Sequence, residues 1–164
     1  MQTTKSKNPN TQFPTQVEAV NQVQQLIKSY FELISLSRIN ETLIKLASAA
    51  IAPHNRSKKP TPIDIAGRLY DVRITLNLLY KVKAVLKQDF IQCTTNEMLN
   101  KLSAINNFDI DDMAELLYTG LDTYIFKEKD FEGSSLSFSC EIISGFKMIY
   151  DWLSECEKWH QSVK

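Results

Sequence analysis

The stretch Val72-Arg73-Ile74-Thr75-Leu76-Asn77-Leu78-Leu79-Tyr80-Lys81-Val82-Lys83-Ala84 decides the fold. Its apolar residues fall at Val72, Ile74, Leu76, Leu78, Tyr80, Val82 and Ala84, an alternation that signals a strand. Two facts oppose that reading. An unbroken run of thirteen residues is long for a strand, and no Gly, Pro or Asn-Gly turn interrupts it. As a helix it carries one stripe of Ile74, Leu78, Val82 and Val85 and another of Leu69, Val72, Leu76 and Tyr80. We read a helix, and two stripes predict the most buried helix of a bundle. Its start is marked by Thr61-Pro62, an N-cap followed by a proline at the first helical position, and it runs to about Gln88.

Upstream lies a polar, basic loop, Pro53 to Pro60, and before it a helix expected over 41–52 with Asn40 as cap and Leu43, Ala47, Ala50 and Ile51 inward. Ser35 to Asn40 interrupts the apolar pattern. Thr15-x-x-Glu18 is a capping box that opens a first helix with Val20, Val23, Ile27, Tyr30 and Ile34 on one face. Residues 1–13 are polar and are expected to be a disordered tail. Downstream, Thr94-x-x-Glu97 opens a short helix to about Ile105. Asp109 caps a helix with Met113, Leu117, Leu121 and Tyr124 inward. After a charged loop, 127–135, a last helix over about 136–161 carries Ile142, Phe146, Ile149, Leu153, Cys156 and His160. The expectation is an all-α, single-domain bundle of five to six helices over residues 14–164. Seven-residue apolar spacing in its first and last helices predicts left-handed, near-antiparallel packing.

Composition narrows the chemistry. No apolar run approaches the roughly 18 residues that span a bilayer, and no hydrophobic stretch follows the first lysines, so the expected setting is cytoplasmic and off the membrane. Cys93, Cys140 and Cys156 are widely spaced, which suits free thiols better than a disulfide framework or a zinc ribbon. With two histidines the chain lacks the ligands of a His/Asp phosphohydrolase, and neither His54 nor His160 follows an arginine at the spacing of the helical ribonucleases. Asp112-x-x-Glu115 is half of a magnesium-binding pair without its other half, and it suits a helix N-terminus equally well. Cys156 and His160 stand four apart, a spacing that holds a soft metal only with further ligands, so a plain apolar stripe is the better account. The glycine-rich phosphate-binding and nucleophile-elbow motifs are missing, and no cofactor is expected.

Charge is segregated along the chain although the net charge is zero. Arg38 to Lys87 holds ten basic residues against three acidic, a net of +7; Asp89 to Glu132 holds ten acidic against three basic, a net of −7. Folded side by side, the two segments pair internally. On opposite faces they leave a basic surface for polyanions, and between copies they complement each other. The leading expectation is therefore a non-enzymatic helical module that binds a protein partner, with a second copy of the chain among the candidates. Candidate partner contacts are Trp152, Trp159, Asp111, Asp112 and Glu115. The alternative is nucleic-acid binding through Arg56, Lys58, Lys59, Lys81, Lys83 and Lys87. A third reading is an enzyme whose carboxylates converge from different helices, Asp64 or Asp71 with Asp111, Asp112 or Glu115.

Overall fold

The structure, a computed structural model, describes residues 16–51, 59–86, 97, 110–126 and 136–162. These form five helices: α1 (Gln16–Leu33), α2 (Leu36–Ile51), α3 (Pro62–Leu86), α4 (Ile110–Phe126) and α5 (Leu136–Ser162). No strand occurs among the described residues. The expected tail over 1–13, the caps at Thr15 and Asp109, and the basic loop 53–58 lie outside them. So does the short helix at 94–105, apart from Glu97, which is helical and exposed.

The 72–86 stretch is helix throughout. Its start is fixed by a reciprocal box: Asp64 N donates to Thr61 Oγ1 (3.2 Å), and Thr61 N donates to Asp64 Oδ2 (3.2 Å). The hydrogen bond from the Thr61 hydroxyl, with that from Thr61 N, holds the Asp64 carboxyl below its ordinary range. One side of α3 meets α1 through Ile74, Thr75 and Leu78. α3 also packs on α4, where Lys83 meets Asp111, and the buried Val72, Leu76 and Leu79 share the Lys83 side of the helix by spacing. Leu69 and Tyr80, expected in the second buried stripe, are instead 46% and 45% exposed. Polar Asp71 and Thr75 occupy buried positions in the phase where apolar residues were sought. α3 packs against α1, α2 and α4, as many neighbours as α2, α4 and α5 each have, so the central position that two stripes predicted is not α3's alone.

α2 begins five residues earlier than its expected start at 41. Ser35, not Asn40, is its cap: Arg38 N donates to Ser35 Oγ (3.3 Å) and Ile39 N to Ser35 O (3.1 Å). Ile39 is fully buried, so the residues that interrupt the apolar pattern are helical and Ile34-Ser35 alone separates α1 from α2. α2 then diverges to pack on α4 and α5, while α1 packs on α3 and α5. In α1 the buried face is Ala19, Val23, Ile27 and Tyr30, continued by Ile34 just beyond its end, with Val20 only half-buried.

The expected inward residues of α4 and the apolar seam of α5 through Cys156 are buried. Gly120 lets three helices meet. A Cβ there would lie 2.8 Å from Phe146 Cζ on α5 and 3.0 Å from Leu46 Cβ on α2, inside van der Waals contact. No described helix is long and apolar enough to cross a membrane.

Candidate interaction surface

Charge and polarity gather in two places. The first is interior, where α2 meets α3. Asp71 is 1% exposed and is met from both helices. Thr42 Oγ1 donates to its Oδ2 (2.7 Å), Arg68 Nη1 stands 3.7 Å from the same oxygen, and Arg38 Nη2 lies 2.7 Å from Oδ1. The Arg38 contact is one of charge and is not aligned as a hydrogen bond. Arg68 also donates to Thr42 Oγ1 (2.6 Å) and to Glu41 Oε1 (2.8 Å), while its Nε is buried without a hydrogen-bond partner. The hydrogen bond from Lys45 and the charge of Arg68 hold the exposed Glu41 carboxyl below its ordinary range. On the α1 side, Thr75 Oγ1 donates to Asp71 O (2.8 Å), which leaves the Tyr30 hydroxyl to donate to Thr75 Oγ1 (3.0 Å). Burial pushes the Tyr30 phenol well above its usual value. This cluster ties α1, α2 and α3 together through groups largely inside the fold, as buried polar groups require.

The second place is the outer edge of α3 and α4. Lys83 Nζ reaches Asp111 Oδ2 at 2.6 Å, joining the C-terminal end of α3 to the N-terminal end of α4. The two helices stay packed beyond that end, so they run antiparallel. Helical spacing from Lys83 aligns Tyr80, Arg73 and Leu69 along α3, and from Asp111 aligns Glu115, Tyr118, Asp122 and Phe126 along α4. Along this edge four large apolar side chains are open to water: Leu69 (46%), Tyr80 (45%), Tyr118 (56%) and Phe126 (62%). Scattered apolar residues on a surface are ordinary, whereas these four fall by helical spacing along the edges of two packed helices.

The residues singled out in the sequence divide between interior and surface. Asp111, Asp112 and Glu115 are exposed on the first turns of α4. Trp152 is 2% exposed and Trp159 half-buried against the same core. Trp152 thus offers no surface to a partner, because its place on the inner seam of α5 spends its area on the core. Lys59 and Lys81 are exposed, Lys83 is half-buried against Asp111, and Arg56, Lys58 and Lys87 fall outside the described residues. The Lys83–Asp111 pair is one point at which the basic and acidic segments interlock. Other basic groups of the first segment, Arg38, Lys45 and Arg68, take carboxylates of their own segment.

The carboxylates considered for catalysis stay apart: Asp64 serves the α3 cap, Asp71 meets two arginines, and Asp111 meets Lys83. Cys156 is fully buried, with its thiol pushed up by burial, and His160 stacks on Phe31 with ring centroids 5.8 Å apart. Among the described residues no three His, Cys, Asp or Glu side chains are grouped to hold a metal ion. A groove between α1 and α3, over Leu26, Leu33, Ile74 and Leu78 with Lys81 at its rim, has about 120 Å³ of room. That is well short of the roughly 300–1,000 Å³ of a small-molecule site. The sequence places Leu69 and Tyr80 in an apolar stripe and carries no signal that they stand exposed on the outer edge. Compared with protein-family models, curated proteins and solved structures, the chain finds no match.

Proposed function

We propose that this chain is a helical interaction module that binds a protein partner through the outer edge of α3 and α4. The observation that carries the reading is the exposure of Leu69, Tyr80, Tyr118 and Phe126 on those adjoining helices, flanked by charged residues. Apolar and aromatic side chains framed by charge are the composition of recognition surfaces. Asp111 and Glu115 belong to this edge and supply its acidic flank. The nucleic-acid reading gains nothing comparable, since Lys83 is engaged with Asp111 and Tyr118 stands among carboxylates.

A photo-crosslinking amino acid installed in place of Tyr118, in the cells that make the protein, tests this. The reading predicts a discrete protein adduct from this position and none from the same amino acid in place of Lys147, an exposed residue on α5. No protein adduct at Tyr118, or an adduct to nucleic acid, overturns it.

A further inference from the structure

Resting on that reading, we infer that the partner is a second copy of this chain, joined face to face through α3 and α4 about a two-fold axis parallel to the helices. The argument begins with levels along the helix axes. The Lys83–Asp111 contact sets one level on both helices. At about 1.5 Å per residue, Arg73 lies ~15 Å along α3 from that level and Asp122 ~16 Å along α4. Leu69 and Phe126 lie ~21 and ~22 Å along. Tyr80 and Tyr118 fall between the two charged levels. The edge is thus ordered as a charged level, an aromatic stretch, a second charged level and an apolar end, in the same sequence on both helices.

A two-fold axis parallel to the helices preserves every level while placing α3 of one copy over α4 of the other. Arg73 on the basic edge of α3 then lies level with Asp122 on the acidic edge of the other copy's α4, the Lys83–Asp111 pairs of the two copies lie level with each other, and Glu115 comes beside Tyr80. Leu69 comes over Phe126, and the tyrosines of both copies meet in the middle. Each contact between the copies then occurs twice, once on either side of the axis, as an isologous interface requires. The sign of charge on each edge selects this arrangement: α3 over α3 would oppose basic residues and α4 over α4 acidic ones.

Light scattering on the full chain during size exclusion, across a range of concentrations at low salt, tests this. The expected result is twice the chain mass, falling to the single mass in Tyr118→Glu with its helical circular dichroism unchanged, since Tyr118 is exposed and outside the core. Ile143→Glu, on an equally open apolar residue of α5, keeps twice the mass. A single mass for the unaltered chain at every concentration overturns the second copy. So does a Tyr118→Glu variant that stays paired, or an Ile143→Glu variant that separates. If the chain is monomeric but the crosslinker at Tyr118 captures a protein of another mass, the second copy fails and the interaction module stands.

Discussion

The contact of α2 with α3 and the outer edge of α3 with α4 use similar residues to opposite ends. Both combine arginine or lysine with carboxylates and tyrosine. At the first, Asp71 is buried, and Arg38, Arg68, Thr42 and Thr75 converge on its side chain or its carbonyl. At the second, Leu69, Tyr80, Tyr118 and Phe126 remain in water beside a charged row. The contrast teaches where the fold ends and association begins. A buried charge has to be met within the chain, because its desolvation is unaffordable otherwise, whereas an exposed aromatic edge gains only when something covers it.

If that contrast is right, substitutions at the two regions separate into losses of stability and losses of association. The largest stability loss is expected from Asp71→Ala, which takes the buried carboxylate from Thr42 and Arg38 and leaves the nearly buried Arg68 with Glu41 alone. About 3–5 kcal/mol should disappear from the urea unfolding free energy. Gly120→Ala follows: a methyl group against Leu46 Cβ and Phe146 Cζ should cost about 1–3 kcal/mol as overpacking, partly offset by better helix propensity. Phe146→Leu, which withdraws the Cζ atom, should make the added methyl less costly when the two changes are combined. Thr75→Val should cost about 1–3 kcal/mol by leaving the buried Tyr30 hydroxyl without its acceptor. Tyr30→Phe removes the hydroxyl itself and should cost less. At the outer edge, Tyr118→Ala should change the stability of the separated chain by no more than about 0.5 kcal/mol.

The effect of pH sharpens the interior side of the comparison. Burial raises the Cys156 thiol and the Tyr30 phenol above their ordinary values of 9.0 and 10.0. In the unfolded chain these groups ionise at those ordinary values, while the fold keeps them neutral. Their contribution is therefore fully present below pH 9 and is lost progressively as pH rises above it. Unfolding free energies measured across the alkaline range should begin to fall near pH 9, and in Cys156→Ala the onset should move toward pH 10, where Tyr30 remains.

Much of the helical pattern was legible because it rests on local chemistry: the Thr61-Pro62 start, the inward faces of α4 and α5, and the length that argued against a strand at 72–84. What escaped was set by neighbours. Asp71 is interrupted from the apolar count by its charge, and only the arrival of Arg38 and Arg68 from sequence-distant and local turns makes its burial tolerable. Ser35 and Asn40 are both good caps, and the burial of Ile39 decides between them. The outer edge was half legible: Asp111 and Glu115 stood out by charge, whereas Leu69 and Tyr80 read as core because periodicity marks a face without saying what covers it. Trp152 shows the reverse, a residue type typical of interfaces that the core consumes.

The most direct test of the central claim, that a second copy closes the α3–α4 edge, is the urea midpoint of the unaltered chain over about a hundred-fold range of protein concentration. The account predicts a midpoint that rises with concentration, and a Tyr118→Glu variant whose midpoint does not. A midpoint independent of concentration, and shared by both chains, would contradict it.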